Sequence, residues 1–338
     1  MALTLVTGRP NSGRSGRLYD PIIAAAAAGG EPVVLLPTQP DARRASDEFS
    51  ARGIVGVRCA VLDQWIGELW SLHGDGRRLV SGAVREALVR QACDDARLEA
   101  LGTSAQTPGL ARFVSRIAEH ATHAREAEPR TAVERDVLTI VGDYTDLARR
   151  EGFVEPSEAA FLLAASPPRI PGPIAINRFA DLSAAQEGFV CGIASGATVL
   201  LALPWEEDHP ATDALTALVK RLSAHGTHVH VPSPESGQDE LAALERSLYR
   251  PGTPLASSGA VRLVQAVGDE LETVCALEAA AGLTSEGYEP GRIAIVFRDA
   301  ARRAPLVAAA AAQAGVEVDI DVALPLPQTP MERALPQP

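Results

Sequence analysis

Over the first 80 residues, short apolar runs alternate with longer stretches that have helical periodicity. The apolar runs have the length of strands and cover residues 3–7, 32–37 and 55–62. Each is followed by a stretch that predicts a helix, at residues 15–28, from about 38 to 49 and at 63–72. Such alternation is typical of a parallel sheet covered by helices on both faces.

The pattern changes at about residue 81, where helical periodicity continues to residue 150 without a convincing strand. Ser81 is a suitable N-cap for the first of three or four helices. Apolar runs at 174–176, 198–203 and 227–231 then predict strands that rejoin the first sheet. We therefore expect one α/β domain, formed by residues 1–80 and 151–232, with a helical insert at 81–150.

Residues 233–259 are rich in proline, serine and glycine and predict a linker. Beyond it, apolar runs at 261–266, 293–297 and 316–320 alternate with helical stretches. They predict the start of a second α/β domain over residues 260–338. This region is too short to complete a sheet of five or six strands, so we expect the chain to be part of a longer protein.

Composition limits the classes of function. A hydrophobic fraction of 46% supports a substantial core, and a net charge of −12 argues against a free-standing DNA-binding module. Local contact with DNA, or contact within a larger complex, stays open. The four cysteines are far apart in sequence, which predicts free thiols and no zinc or iron–sulfur site. Without a signal peptide or a long apolar span, we expect a cytoplasmic location and no membrane partner.

The most informative motif is the segment Gly-Arg-Pro-Asn-Ser-Gly-Arg-Ser at residues 8–15, between the first strand and the first helix. It matches the phosphate-loop pattern Gly-x4-Gly-Lys-Ser/Thr, except that Arg14 replaces the lysine. Gly8 and Gly13 permit the tight path of such a loop, and the Ser15 hydroxyl is available for magnesium. An arginine keeps the charge but not the compact shape of an ammonium. We expect ATP with Mg²⁺ to bind weakly or no longer.

The second motif follows the apolar run at 174–176. In a helicase-type ATPase such a strand leads into Asp-Glu-x-Gln-Asp, where the carboxylates hold magnesium and position water. Here Asn177 and Arg178 replace the first two carboxylates, and only Asp181 matches. Because an arginine cannot act as a base, the sequence predicts that hydrolysis is lost and that no catalytic residue remains.

Taken in order, these segments resemble the N-terminal part of AddB-type subunits of the bacterial helicase–nuclease that processes double-strand breaks, within the UvrD-like helicase superfamily. The resemblance extends over residues 8–15, 35–39, 57–65, 174–183, 269–272 and 292–299. It implies a P-loop RecA-like first domain and an incomplete second RecA-like domain. It also implies an inactivated helicase module without the family's nuclease domain or iron–sulfur cluster.

The resemblance further implies a role as a scaffold that helps hold single-stranded DNA beside an AddA-like helicase–nuclease subunit. By analogy, Thr38, Gln39 and Trp65 would lie near the DNA-facing edge of the first domain, although ordinary helix packing explains Trp65 equally well. Arg298 corresponds to an arginine that approaches the nucleotide phosphates in active relatives.

Two other functions compete with the silent scaffold. A DNA-dependent ATPase or helicase with a variant P-loop would need a Walker-type lysine or an Asp-Glu pair, and both are absent from the sequence. A small-molecule kinase would need a compact single domain with an arginine-rich lid, which the helical insert and the second domain disfavour. No metal site is expected.

Overall fold

A computed structural model of the chain describes residues 3–10, 12–120, 127–232, 240–250, 252 and 257–322. The chain forms two compact units. The first contains residues 1–237 and 247–251, and the second contains residues 238–246 and 252–338. Part of the predicted linker (residues 233–239, 251 and 253–256) lies outside the described residues, as does the C-terminal segment 323–338 of the predicted second domain.

The first unit is built on a six-stranded sheet in which every pairing is parallel. The order across the sheet is β3-β2-β6-β7-β1-β8, and a separate small sheet joins β4 and β5. The strands are β1 Leu3–Thr7, β2 Val33–Leu36, β3 Arg58–Val61, β4 Arg78–Leu79, β5 Phe153–Val154, β6 Ile174–Ile176, β7 Val199–Leu203 and β8 Thr227–His230.

Helices cover both faces of this sheet, which confirms the predicted α/β class. The helices of the first unit are α1 Arg14–Ala27, α2 Gln39–Ala51, α3 Leu62–His73, α4 Gly82–Asp95, α5 Pro108–Ala118, α6 Ala132–Arg150, α7 Pro156–Ala165, α8 Ala184–Ile193 and α9 Thr216–Ser223. Three further helices, which do not belong to the sheet's two layers, lie in the second unit or at its boundary: α10 Glu240–Ser247, α11 Gly268–Ser285 and α12 Ala300–Ala314. Short 3₁₀ turns occupy Gly102–Ser104, Pro210–Leu215 and Pro290–Arg292.

Alternate residues of the strands point to opposite faces and form two separate cores. Leu5 and Leu35 pack on one face with α3, α7, α8 and α9. Val6 and Leu36 pack on the other face with α1 and α2. Because both faces of each central strand are buried, these strands read as continuous apolar runs in the sequence.

Strands β4 and β5, which stand before and after the helical insert in the chain, pair with each other. The helices α4, α5 and α6 of the insert surround the fully buried Tyr144. Ser81 caps α4, since its hydroxyl accepts a hydrogen bond from the Val84 N–H at 3.4 Å. The predicted run of helices is therefore confirmed for residues 81–120 and 127–150, the described parts of this range.

The strands predicted for the second domain are wrong. Among its described residues, the runs at 261–266, 293–297 and 316–320 form no strand, and helices α11 and α12 pack on each other through Leu277 and Ala304. Leu263 and Val296 are 98% and 86% exposed. An apolar run becomes a strand only when a neighbouring strand takes up its backbone hydrogen bonds, and the described part of this unit supplies none.

A search of the described residues finds no helix with the length and apolar character that crossing a membrane requires. The four cysteines are free thiols.

Candidate functional site

The carboxyl edge of the parallel sheet brings the two predicted nucleotide motifs together. Residues 8–13 follow β1 and Asn177 follows β6, and the two strands are separated only by β7. Ligands of open parallel sheets bind at this edge. The sequence prediction therefore placed both motifs at the correct end of the sheet.

Two glycines set the path of the loop from β1 into α1. Gly8 has a φ of +153° and Gly13 has a φ of +87°, so both adopt backbone conformations that favour glycine. A Cβ on Gly8 would lie 2.5 Å from the Val231 carbonyl oxygen, whereas one on Gly13 would meet no atom within 4 Å. The loop and helix thus have the predicted order, with Arg14 as the first residue of α1.

The side chain of Arg14 turns back onto its own loop. Its Nε donates to the Arg9 carbonyl oxygen at 3.2 Å, and the Ser12 N–H donates to the same oxygen at 3.3 Å. Burial lowers the pKa of Arg14. The Ser12 hydroxyl is buried and lacks a hydrogen-bond partner among the described residues. The Ser12 hydroxyl is therefore free to bind an anion. The Arg14 guanidinium, in contrast, contacts the backbone of the loop.

Asn177 forms the link between the two motifs. Its Nδ2 donates to the Ser15 Oγ at 3.1 Å and to the Tyr19 hydroxyl at 2.9 Å. Its Oδ1 accepts the Arg178 N–H at 2.9 Å, which fixes the orientation of the amide, because the reversed amide would set two donors against each other. Burial raises the pKa of Tyr19, so its hydroxyl stays neutral at physiological pH.

These residues do not fit a magnesium ion. Mg²⁺ requires oxygen ligands in near-octahedral geometry, usually with one or two carboxylates. Here the Ser15 oxygen accepts a hydrogen bond from Asn177, and the side chain at the carboxylate position presents an N–H group. Magnesium-assisted chemistry therefore has no support from this edge of the sheet.

Arg178 is the residue predicted to replace the catalytic carboxylate of a helicase-type ATPase. Its φ of +67° is unusual for a residue other than glycine. Its guanidinium pairs with Asp41 at 3.4 Å and with Glu48 at 3.0 Å, both on α2. A cation held by two carboxylates cannot accept a proton from water.

Asp181, the one residue that matches the helicase pattern, has a local structural contact. Its carboxylate accepts the Leu182 N–H at 2.8 Å, and its side chain is exposed ahead of α8. This hydrogen bond supports the turn before the helix.

An ion pair that the sequence analysis missed closes the loop from its other side. Arg9 makes a two-point contact with Glu206, with Nη2 at 2.8 Å from Oε1 and Nε donating to Oε2. The contact with Arg9 lowers the pKa of Glu206. The signal for it in the sequence is the acidic run at 206–208, which closely follows the apolar run at 198–203. The structure ties this segment to the phosphate loop.

Thr7, at the end of β1, contacts two histidines of the neighbouring strand β8. Its Oγ1 lies 2.8 Å from His228 Nε2 and 3.2 Å from His230 Nδ1. Burial, with a smaller contribution from His230, lowers the pKa of His228, so this ring is neutral at physiological pH. The histidines thus help to join β8 to the strand that carries the loop.

The predicted DNA-facing residues separate into two groups. Thr38 and Gln39 are exposed at the start of α2, where the Thr38 hydroxyl accepts the Asp41 N–H at 3.3 Å. Trp65 is only 4% exposed and packs edge-to-face on Phe189, with ring centroids 5.9 Å apart. The proposal that Trp65 faces DNA is therefore wrong, because core packing removes its ring from the surface.

Arg298, predicted to approach the nucleotide phosphates, is exposed and belongs to the second unit.

Comparison with known proteins adds no relative to this description. No protein-family model matches the chain, and neither does any curated protein.

Proposed function

We propose that this chain is a non-catalytic, helicase-like scaffold module that helps hold single-stranded DNA during double-strand-break processing and recombinational repair. The proposal places it in the cytoplasm, as part of an AddB-like subunit beside an AddA-like helicase–nuclease subunit. One observation carries the absence of catalysis. The Asn177 amide donates to the Ser15 hydroxyl at 3.1 Å, where a P-loop ATPase would coordinate magnesium.

Three features oppose turnover independently. Arg14 contacts the backbone of its own loop, Asn177 offers a donor in place of a magnesium ligand, and Arg178 replaces the base with a paired cation. Phosphoryl transfer depends on positioning and charge stabilisation by these same parts. Reversing any one of them leaves two obstacles in place.

The remaining contacts of the site support a structural role. The Arg9–Glu206 pair joins the segments after β1 and β7, and Arg178 joins the segment after β6 to α2. Asn177 connects β6 to α1 through Ser15 and Tyr19. An active enzyme would direct such polar side chains at the nucleotide. In this chain they connect neighbouring helices and strands instead, as a scaffold requires.

Changing Arg14 to lysine is expected to restore no ATP hydrolysis, because Asn177 and Arg178 still block the chemistry. The measurement is phosphate release by Arg14→Lys in excess Mg²⁺ and ATP, with and without a 20-nucleotide oligo(dT). Turnover well above that of the unchanged chain would contradict the proposal.

A paired variant separates phosphate binding from magnesium binding. We expect Arg14→Lys to bind a fluorescent ATP analogue equally well in Mg²⁺ and in EDTA. The double variant Arg14→Lys with Asn177→Asp should bind more tightly in Mg²⁺, because it regains a carboxylate beside Ser15. Magnesium-dependent binding by the unchanged chain would show that Asn177 does not block the metal.

A further inference from the structure

Helix α5 of the insert carries an aromatic ring on its outward face, between two arginines. Phe113 is 53% exposed, and Arg112 and Arg116 are exposed beside it. The inward face of the helix is formed by Leu110, Ala111, Val114 and Ala118. Residues 109, 112, 113 and 116 are spaced at i, i+3, i+4 and i+7, so they share one face.

Helix stability accounts for only part of this face, since Arg116 lies in the last turn of α5, where a cation interacts favourably with the helix dipole. The exposed half of the Phe113 ring gains nothing from burial, and like charges four residues apart oppose helix formation. Neither arginine has an ion-pair partner in the described part of the chain, although the sequence has 43 acidic residues against 31 lysines and arginines. Elsewhere in the insert, Arg90 pairs with Glu86 and Arg135 pairs with Glu99.

We propose that Phe113, Arg112 and Arg116 form a contact site for single-stranded DNA, with a base stacked on the ring and the guanidiniums on flanking phosphates. An aromatic platform next to basic residues is the usual chemistry of single-strand binding. The inference rests on the proposed function and locates its DNA contact on the insert, away from the predicted DNA-facing residues Thr38, Gln39 and Trp65.

The local geometry leaves room for a base. Gly109 lies one turn before Phe113 on the same face, and even a Cβ there would meet no atom within 4 Å. The two arginines are four residues apart, about 6 Å along the helix axis, so they can contact different phosphates. A duplex keeps its bases stacked inside, and an acidic peptide would need no exposed ring. The combination therefore favours an unstacked strand.

The test is binding of fluorescein-labelled oligo(dT) of 20 nucleotides to the full chain, measured by anisotropy. Phe113→Ala should raise the Kd at least about tenfold, because stacking on an aromatic ring contributes roughly that factor per base. Arg112→Ala and Arg116→Ala should each make the negative slope of log K against log salt shallower by about 0.7. Tyr288→Ala and Arg52→Ala change an exposed tyrosine and an exposed arginine elsewhere, and should leave binding unchanged.

A gain of signal complements these losses. Phe113→Trp should bind as tightly as the unchanged chain, and oligo(dT) should quench its added fluorescence. If the unchanged chain binds but Phe113→Ala binds equally well and Phe113→Trp is not quenched, the inference is overturned while the proposed function stands. If the unchanged chain does not bind oligo(dT) at all, the DNA-holding role fails and the inference fails with it.

Discussion

Changing Glu155 to glutamine is expected to lower the free energy of unfolding of the first unit by about 3 kcal/mol. The buried Glu155 carboxylate accepts Arg85 Nε at 2.8 Å and Nη2 at 2.7 Å, and also accepts the Tyr144 hydroxyl. A neutral amide would leave the largely buried guanidinium of Arg85 with only the exposed Glu119 carboxylate, 4.0 Å away, as a counter-charge, and would turn an N–H group toward a donor. Removing one partner of a buried pair costs far more than removing an exposed one.

Urea unfolding followed by tryptophan fluorescence measures this change, because Trp65, Trp70 and Trp205 all lie in the first unit. The matched control is Glu86→Gln, which removes the exposed pair with Arg90 on α4 and should cost no more than about 0.5 kcal/mol. Equal effects of the two variants would mean that the Arg85–Glu155 contact does not hold the insert to β5.

The second large effect is expected at Gly8. Gly8→Ala should destabilise the first unit by about 3 kcal/mol, since the new Cβ meets the Val231 carbonyl oxygen and the backbone is already in a region that disfavours alanine. Gly13→Ala should cost only about 1 kcal/mol, because Gly13 shares the positive φ but has open space around it.

The same urea measurement compares the two glycine variants. A larger loss for Gly8→Ala would mean that this glycine is needed for the packing of the loop against the segment after β8, whether or not phosphate binds. A loop that serves only a ligand would instead tolerate both substitutions in the absence of nucleotide, and that result would contradict the structural role assigned here.

Local patterns in the sequence predicted the first unit well. The apolar runs around Leu5, Leu35 and Leu201 are long enough for central strands, and the alternation with helices allows only a covered parallel sheet. Gly8 and Gly13 predicted the loop, since the positive φ angles of this tight turn into a helix favour glycine. These features depend on residues close together in the chain.

Contacts between distant segments could not be predicted in this way. Arg9 and Glu206 are 197 residues apart, and only the neighbouring positions of β1 and β7 bring them together. The Asn177–Ser15 hydrogen bond joins residues 162 positions apart, and its direction depends on the backbone of Arg178. The sequence around Trp65 fits a ring that faces DNA as well as one that faces the core. Only the packing of the ring on Phe189, a residue 124 positions away, shows that it belongs to the core.

The second unit shows the limit of propensity arguments. The runs at 261–266 and 293–297 have the composition of strands, yet they form none in the described residues. β-propensity expresses how well a residue fits a half-buried pleated surface, so it has no effect where a neighbouring strand is missing.

The most direct test of the central claim is magnesium-dependent ATP hydrolysis by the purified chain, with and without single-stranded DNA, beside an active helicase as the positive control. The contacts of Arg14, Asn177 and Arg178 predict no turnover above background in either condition. Turnover that rises when single-stranded DNA is added would contradict the account and would identify the chain as a working motor with an unusual loop.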